Sequence, residues 1–243
     1  MRIFAIGDIH GGLRALDQLL EKLQLESDDQ LIFLGDYVDG WSESAQVIQY
    51  LIELSKKYDC IFIKGNHDVW CENWLSTGAI EPVWQKHGGK GTLDSYANIT
   101  DAQKKEHLAF FQKTKLYHID AKNRLFIHAG FTSMHGVERE YYPENFYYDR
   151  TLWEMALIAN QYAQKEDLNY PDRLKHYKEI YIGHTPTIRF AHDKPMNALN
   201  VWNVDTGAAF TGKLSAIDID TKMVYQSEPV TNLYHDEMGR NKS

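Results

Sequence analysis

Leu31-Ile32-Phe33-Leu34-Gly35-Asp36-Tyr37-Val38-Asp39-Gly40 is the stretch from which the fold is read. Four apolar residues run straight into a glycine and a carboxylate, the pattern of a buried strand whose C-terminal end carries Asp36 into a site. Ile3-Phe4-Ala5-Ile6 leads in the same way into Gly7-Asp8-Ile9-His10-Gly11, and Cys60-Ile61-Phe62-Ile63 into Lys64-Gly65-Asn66-His67-Asp68. Between them lie leucines at helical spacing from Leu13 to Leu23 and an amphipathic segment from Ala45 to Lys57 that Ser42 or Ser44 can cap. The order β-α-β-α-β predicts a parallel sheet with right-handed crossovers. Parallel neighbours bring their carboxyl ends to one edge, where open α/β sheets bind ligands, so Asp8, His10, Asp36, Asn66 and His67 are expected to converge.

Working outward, Val69 to Ala97 loses clear periodicity and reads as short helices and loops near the site. Ala102–Thr114 reads as a helix. Lys115–Asp120 and Arg124–Ala129 read as a hairpin that delivers His128 from a strand end. Residues from about 131 to 178, rich in tyrosine and acids, read as a helical aromatic insertion. Glu179–Ile182 is a short strand ending in Gly183-His184-Thr185-Pro186, and Ala198–Val204, Leu214–Ile219 and Met223–Gln226 supply further strands. The expected fold class is α/β, with two mixed β-sheets packed as a sandwich and flanked by helices. One domain is expected over 1–231, with a loose polar tail at 232–243.

The chain has 243 residues, 43% of them hydrophobic, enough for a full core in one domain. A net charge of −8 argues against a dedicated nucleic-acid surface, because such affinity comes from Lys and Arg neutralising phosphates. No apolar stretch approaches the roughly 20 residues that span a bilayer, and the N-terminus offers no signal-peptide core, so a cytoplasmic protein without membrane contact is expected. Cys60 and Cys71 form no disulfide framework.

Asp8, His10, Asp36, Asn66, His67, His128 and His184 are too many neutralisable groups to bury together unless cations lie between them. Mixed O and N ligands without thiolate suit Mn²⁺, Fe or Zn²⁺. Taken in order, the blocks Gly7–Gly11, Gly35–Gly40, Gly65–Asp68, His128–Gly130 and Gly183-His184 resemble the signatures of the calcineurin-like metallophosphoesterases. Within them the chain is most similar to bacterial enzymes of the serine/threonine phosphoprotein phosphatase branch, a likeness that extends to Asn203–Gly207. The resemblance implies two divalent metal ions, manganese first, with Asp8, His10 and Asp36 on one and Asp36, Asn66, His128 and His184 on the other. It also implies a metal-bridging hydroxide as nucleophile, His67 as general acid and Asp39 as its orienting carboxylate. Pro186 stands where many diesterases of the superfamily carry a further histidine.

The phosphate-binding arginines of that branch are absent: Gly40 follows Asp39, and Met155 occupies the slot beyond Leu152-Trp153. Lys64, Arg150, Arg139 and Arg189 are the candidate replacements, Lys64 and Arg150 foremost. The first reading is a phosphomonoesterase acting on phosphorylated protein. The second is a nucleotide hydrolase of the diadenosine-tetraphosphatase type, with the aromatic segment stacking adenine. The third is a non-catalytic module that recognises phosphate.

Overall fold

The computed structural model describes residues 1–162 and 170–241. Among the described residues, ten strands follow in chain order: β1 Ile3–Ile6, β2 Gln30–Phe33, β3 Asp59–Phe62, β4 Tyr117–Ile119, β5 Arg124–Ile127, β6 Glu179–Ile182, β7 Met196–Ala198, β8 Val201–Asn203, β9 Lys213–Asp218 and β10 Val224–Pro229. They build two five-stranded sheets, ordered β10-β9-β1-β2-β3 and β4-β5-β6-β8-β7. Both are mixed. In the first, β1, β2 and β3 run parallel, while β9 and β10 are antiparallel to their neighbours. In the second, β5, β6 and β8 run parallel between antiparallel edges.

Side-chain alternation along the strands decides what each sheet face covers. In β1, Ile3 and Ala5 meet Ile32, Phe126, Tyr181 and Ile217 in a core between the two sheets, where the Phe126 and Tyr181 rings stack at 5.0 Å. Phe4 and Ile6 face the other way, onto leucines of helix Leu13–Leu23 and onto Ile48 and Leu51 of helix Ser44–Leu54. On the far side of the second sheet, Leu125, Ile127, Ile180 and Ile182 pack against Leu152, Trp153 and Leu174. The result is the expected sandwich, with helices outside both sheets.

Several local expectations need correction. The run from Ala198 to Val204 is not one strand: Leu199, at φ 53°, turns the chain between β7 and β8. Neither Ser42 nor Ser44 caps the second helix. Its N-cap is Glu43, and the Ser44 hydroxyl accepts the Asp39 N–H at 3.2 Å. Among the described residues, the aromatic insertion holds the helices Asn145–Tyr148, Thr151–Ala159 and Asp172–Lys175; its residues 163–169 lie outside the described ones. The tail expected to be loose is tied down where it is described, up to residue 241: Val230–Leu233 is helical, Tyr234 is buried against Trp41, and Arg240 lines the central pocket. Among the described residues, no helix is long and apolar enough to cross a membrane.

Candidate active site

The expected strand-end groups meet at one edge of the molecule. Asp8, His10, Asp36, Asn66, His67, His128 and His184 are all buried there. The first loop is laced to the second by the N–H groups of Ile9 and His10, which donate to the Asp36 carbonyl at 3.0 and 2.9 Å. The second is tied to the third by Asp68, whose carboxylate accepts the N–H groups of Asp36, Tyr37 and Gly65 at 2.8, 2.9 and 2.8 Å. Four site residues, His10, Asp36, Asp39 and His184, have left-handed backbone with φ between 53° and 72°. Such conformations cost of order 1–3 kcal/mol each, so the surrounding structure has to over-determine them. A side chain at Gly65 would overlap Asp36 and one at Gly183 would overlap Asp8, which is why these turns need glycine.

Asp36 is the centre of the cluster. Its Oδ2 lies 3.6 Å from His10 Nε2 and 3.4 Å from His128 Nε2. The other ring nitrogens are anchored: His10 Nδ1 bonds the carbonyls of Val38 and Asp39 at 3.1 and 2.9 Å, and His128 Nδ1 bonds that of Leu34 at 2.7 Å. Each ring therefore presents Nε2 to the site, the arrangement in which metal-binding histidines are oriented from behind. Asn66 Oδ1 faces His128 Nε2 at 3.4 Å and His184 Nδ1 at 3.0 Å, while Asp8 Oδ2 stands 3.9 Å from His10 Nε2. His184 Nε2 is a buried nitrogen without a partner among the described residues. Burial pushes the Asp8 carboxyl well above its usual range, helped by the nearby Asp205, and pushes His10 and His184 well below theirs. Neutral imidazoles are the form that binds metal. This donor set fits divalent cations.

Proximity alone would group His10, Asp36 and His67, and separately Asp36, His128 and His184, since each set brings ligand atoms within 4.8 Å of one another. The His67 ring is committed elsewhere. Its Nδ1 donates to Asp39 Oδ2 at 2.6 Å, which also accepts Trp84 Nε1 at 2.7 Å, while Asp39 Oδ1 accepts the Thr92 hydroxyl at 2.6 Å. The ring is thus held by a fully buried carboxylate with three donors, and His67 Nε2 is left for chemistry at the pocket.

The expected phosphate-binding residues divide sharply. Lys64 does not reach the pocket, because its ammonium pairs with Glu72 at 2.5 Å in a separate groove beside Val69 and Tyr147. Arg139 is exposed and does not line the pocket either. Arg150 and Arg189 do line it. They are joined by Arg240, which the sequence reading assigned to a loose tail. Trp70, His87, Tyr148 and Phe210 supply aromatic wall, with the Trp70 and His87 rings stacked at 6.1 Å. Only Tyr148 of these comes from the segment expected to stack a base. Trp84 and Thr92 also went unrecognised, because they lie in short helices, Pro82–Trp84 and Lys90–Ser95, whose sequence has no periodicity to show which polar atoms turn inward.

Residues 1–209 match the family described as calcineurin-like phosphoesterase. The chain belongs to that family. Membership carries a dinuclear divalent-metal site, in keeping with the Asp and His groups gathered here. An asymmetrical bis(5'-nucleosyl)-tetraphosphatase of Oceanobacillus iheyensis is 28% identical over 236 residues, covering 89% of this chain and 88% of that one. Among solved structures, a putative diadenosine tetraphosphatase superposes with a TM-score of 0.63 at 18% identity, covering 93% and 92% of the two chains. A cold-active protein-tyrosine phosphatase of a psychrophilic Shewanella superposes at 0.56 with 13% identity, covering 93% and 80%. At these identities the two structures speak for the fold alone. The protein is a metallophosphoesterase and a phosphoric ester hydrolase.

Proposed function

We propose that this metallophosphoesterase hydrolyses dinucleoside polyphosphates, cutting the phosphate chain asymmetrically. The observation that carries the reading is one pocket in which the carboxylate and imidazole cluster faces three arginines and a set of aromatic rings. A phosphate chain ending in two bases presents the matching chemistry, anionic in the middle and flat at the ends. The similar tetraphosphatases, which cover most of the chain, point the same way. The protein-phosphatase reading, first from the sequence alone, gives way to this one.

In this mechanism Asp8, His10 and Asp36 would hold one divalent cation, and Asp36, Asn66, His128 and His184 would hold the other. When bound, the pair supplies Lewis-acid charge and an activated water for in-line attack on phosphorus. The chain's own residues do the rest. Val38, Asp39 and Leu34 carbonyls fix the His10 and His128 rings. His67, doubly protonated, offers the proton on Nε2 to the departing oxygen, while Asp39 accepts its Nδ1–H and holds the ring in place. Arg150, Arg189 and Arg240 compensate the negative phosphates, and Trp70 and Phe210 give a base a surface to stack on.

The test is a panel of substrates with Mn²⁺-loaded protein. A dinucleoside tetraphosphate should give equal amounts of nucleoside triphosphate and monophosphate, with kcat/KM well above that on phosphoserine peptides. A higher kcat/KM on the peptides, or two nucleoside diphosphates as products, would refute the proposal.

A further inference from the structure

The loop after Gly40 clamps the opposite end of the chain. Tyr234 stacks on the Trp41 indole with ring centroids 5.1 Å apart, and its hydroxyl donates to Glu43. Ser42 donates through its N–H and its hydroxyl to the Glu237 carboxylate at 2.9 and 2.6 Å. The Arg240 N–H then donates to the Ala209 carbonyl at 2.8 Å. Residues 234–240 are therefore a strap tied down at three points, and its last tie sets an arginine at the pocket.

Position 40 leaves room for that arginine. Gly40 has φ +121°, and a Cβ built on it would lie 3.2 Å from Arg240 Cγ, so the stem of Arg240 runs where a side chain at 40 would begin. The guanidinium lies over Phe210, 5.4 Å from the ring centroid. It lines the pocket that holds Asp36 and His67, and also an adjoining groove with Lys86, Lys90 and Asp94 on its wall. Arg150 and Arg189 are exposed, whereas Arg240 is half-buried. Among the described residues, the Arg240 guanidinium has no ion pair or hydrogen-bond partner. A half-buried fork of donors with nothing to bond is costly unless an anion completes it. A substrate phosphate is the anion this pocket is built to admit.

We propose that Arg240, carried in by the C-terminal strap, is a substrate-binding residue that grips the non-bridging oxygens of a phosphate chain where the catalytic pocket opens into the Lys86–Lys90 groove. The assignment rests on the pocket being a phosphate site and is independent of which nucleoside, if any, the substrate carries. An arginine fork bonds two such oxygens at once, which a lysine cannot do.

The experiment is calorimetric titration of the full, Mn²⁺-loaded chain with tripolyphosphate. Arg240→Met should weaken binding by roughly 10- to 100-fold, the loss of one or two charge-assisted hydrogen bonds, with metal content unchanged. Arg240→Lys should fall between that variant and the wild type. A second measurement needs no substitution: tripolyphosphate should slow tryptic cleavage after Arg240, because a gripped Arg240 is withheld from the protease. Affinity within threefold of wild type in Arg240→Met, or undiminished cleavage after Arg240 at saturating tripolyphosphate, would overturn the assignment. Wild-type protein that binds tripolyphosphate through Arg240 but leaves dinucleoside tetraphosphate intact would remove the proposed substrate and leave Arg240 in place.

Discussion

Asp39→Asn is a nearly isosteric lesion whose effect can be worked out atom by atom. The carboxylate accepts His67 Nδ1 and Trp84 Nε1 on Oδ2 and the Thr92 hydroxyl on Oδ1. An asparagine can keep its oxygen towards the two ring N–H donors and turn its amino group to Thr92, whose hydroxyl rotates to accept. No donor need be left bare, so folding should suffer little. What is lost is the charge opposite His67. A hydrogen bond to a charged group contributes about 1.5–3 kcal/mol against about 0.5–1.5 for a neutral one. The difference, about 1–2 kcal/mol, corresponds to a 5- to 30-fold weaker hold on the proton that His67 delivers. Turnover of phenyl phosphate, whose leaving oxygen needs that proton, should fall by about this factor. Turnover of p-nitrophenyl phosphate, whose leaving group departs unaided, should change little. The assay is kcat on both esters with metal content measured alongside. Equal losses on the two substrates at full metal occupancy would refute the proton-donor role of His67 and the positioning role of Asp39.

Asp36→Asn should lower both metals together, from about two per chain in Mn²⁺-reloaded wild type, because its Oδ2 is close to both His10 and His128, at 3.6 and 3.4 Å; elemental analysis showing loss of only one would mean the carboxylate is not shared. Gly40→Arg should not improve phosphomonoester hydrolysis: at φ +121° and 3.2 Å from Arg240 Cγ it adds strain of about 1–3 kcal/mol, seen as a Tm lower by roughly 2–10 °C, and an unchanged Tm would contradict this. Burial pushes the Asp29 carboxyl up, but Arg2 and the Glu26 N–H outweigh it and hold it at about 2, below its unfolded value. The stabilisation is therefore fully present above about pH 4 and lost as pH falls through about 2, so Asp29→Asn should cost about 1–2 kcal/mol in urea unfolding at pH 7 and progressively less below pH 4. A penalty independent of pH would show that the charge is not the cause.

The blocks Gly7–Gly11, Gly35–Gly40, Gly65–Asp68 and Gly183-His184 could be read from the sequence because each is contiguous. An apolar run marks the strand, a glycine marks its end, and the reactive side chain follows at once. His128 and His184, on the second sheet, join the site through the packing of the two sheets, whereas the parallel run of β1, β2 and β3 and the convergence of Asp8, His10, Asp36, Asn66 and His67 follow from strand periodicity and from the rule that parallel strands share an edge. Local order carries that information, so no distant contact had to be known. Tertiary structure alone decided the partners of the charged residues. Lys64 and Arg240 look alike in sequence, each a cation beside a glycine, yet Lys64 turns to Glu72 and Arg240 to the pocket. A long charged side chain has no periodicity to betray its direction; it goes where a neighbour, folded in from elsewhere, leaves space and complementary charge. Arg240 finds both beside Gly40, because Trp41, Ser42 and Glu43 tie the far end of the chain across the site.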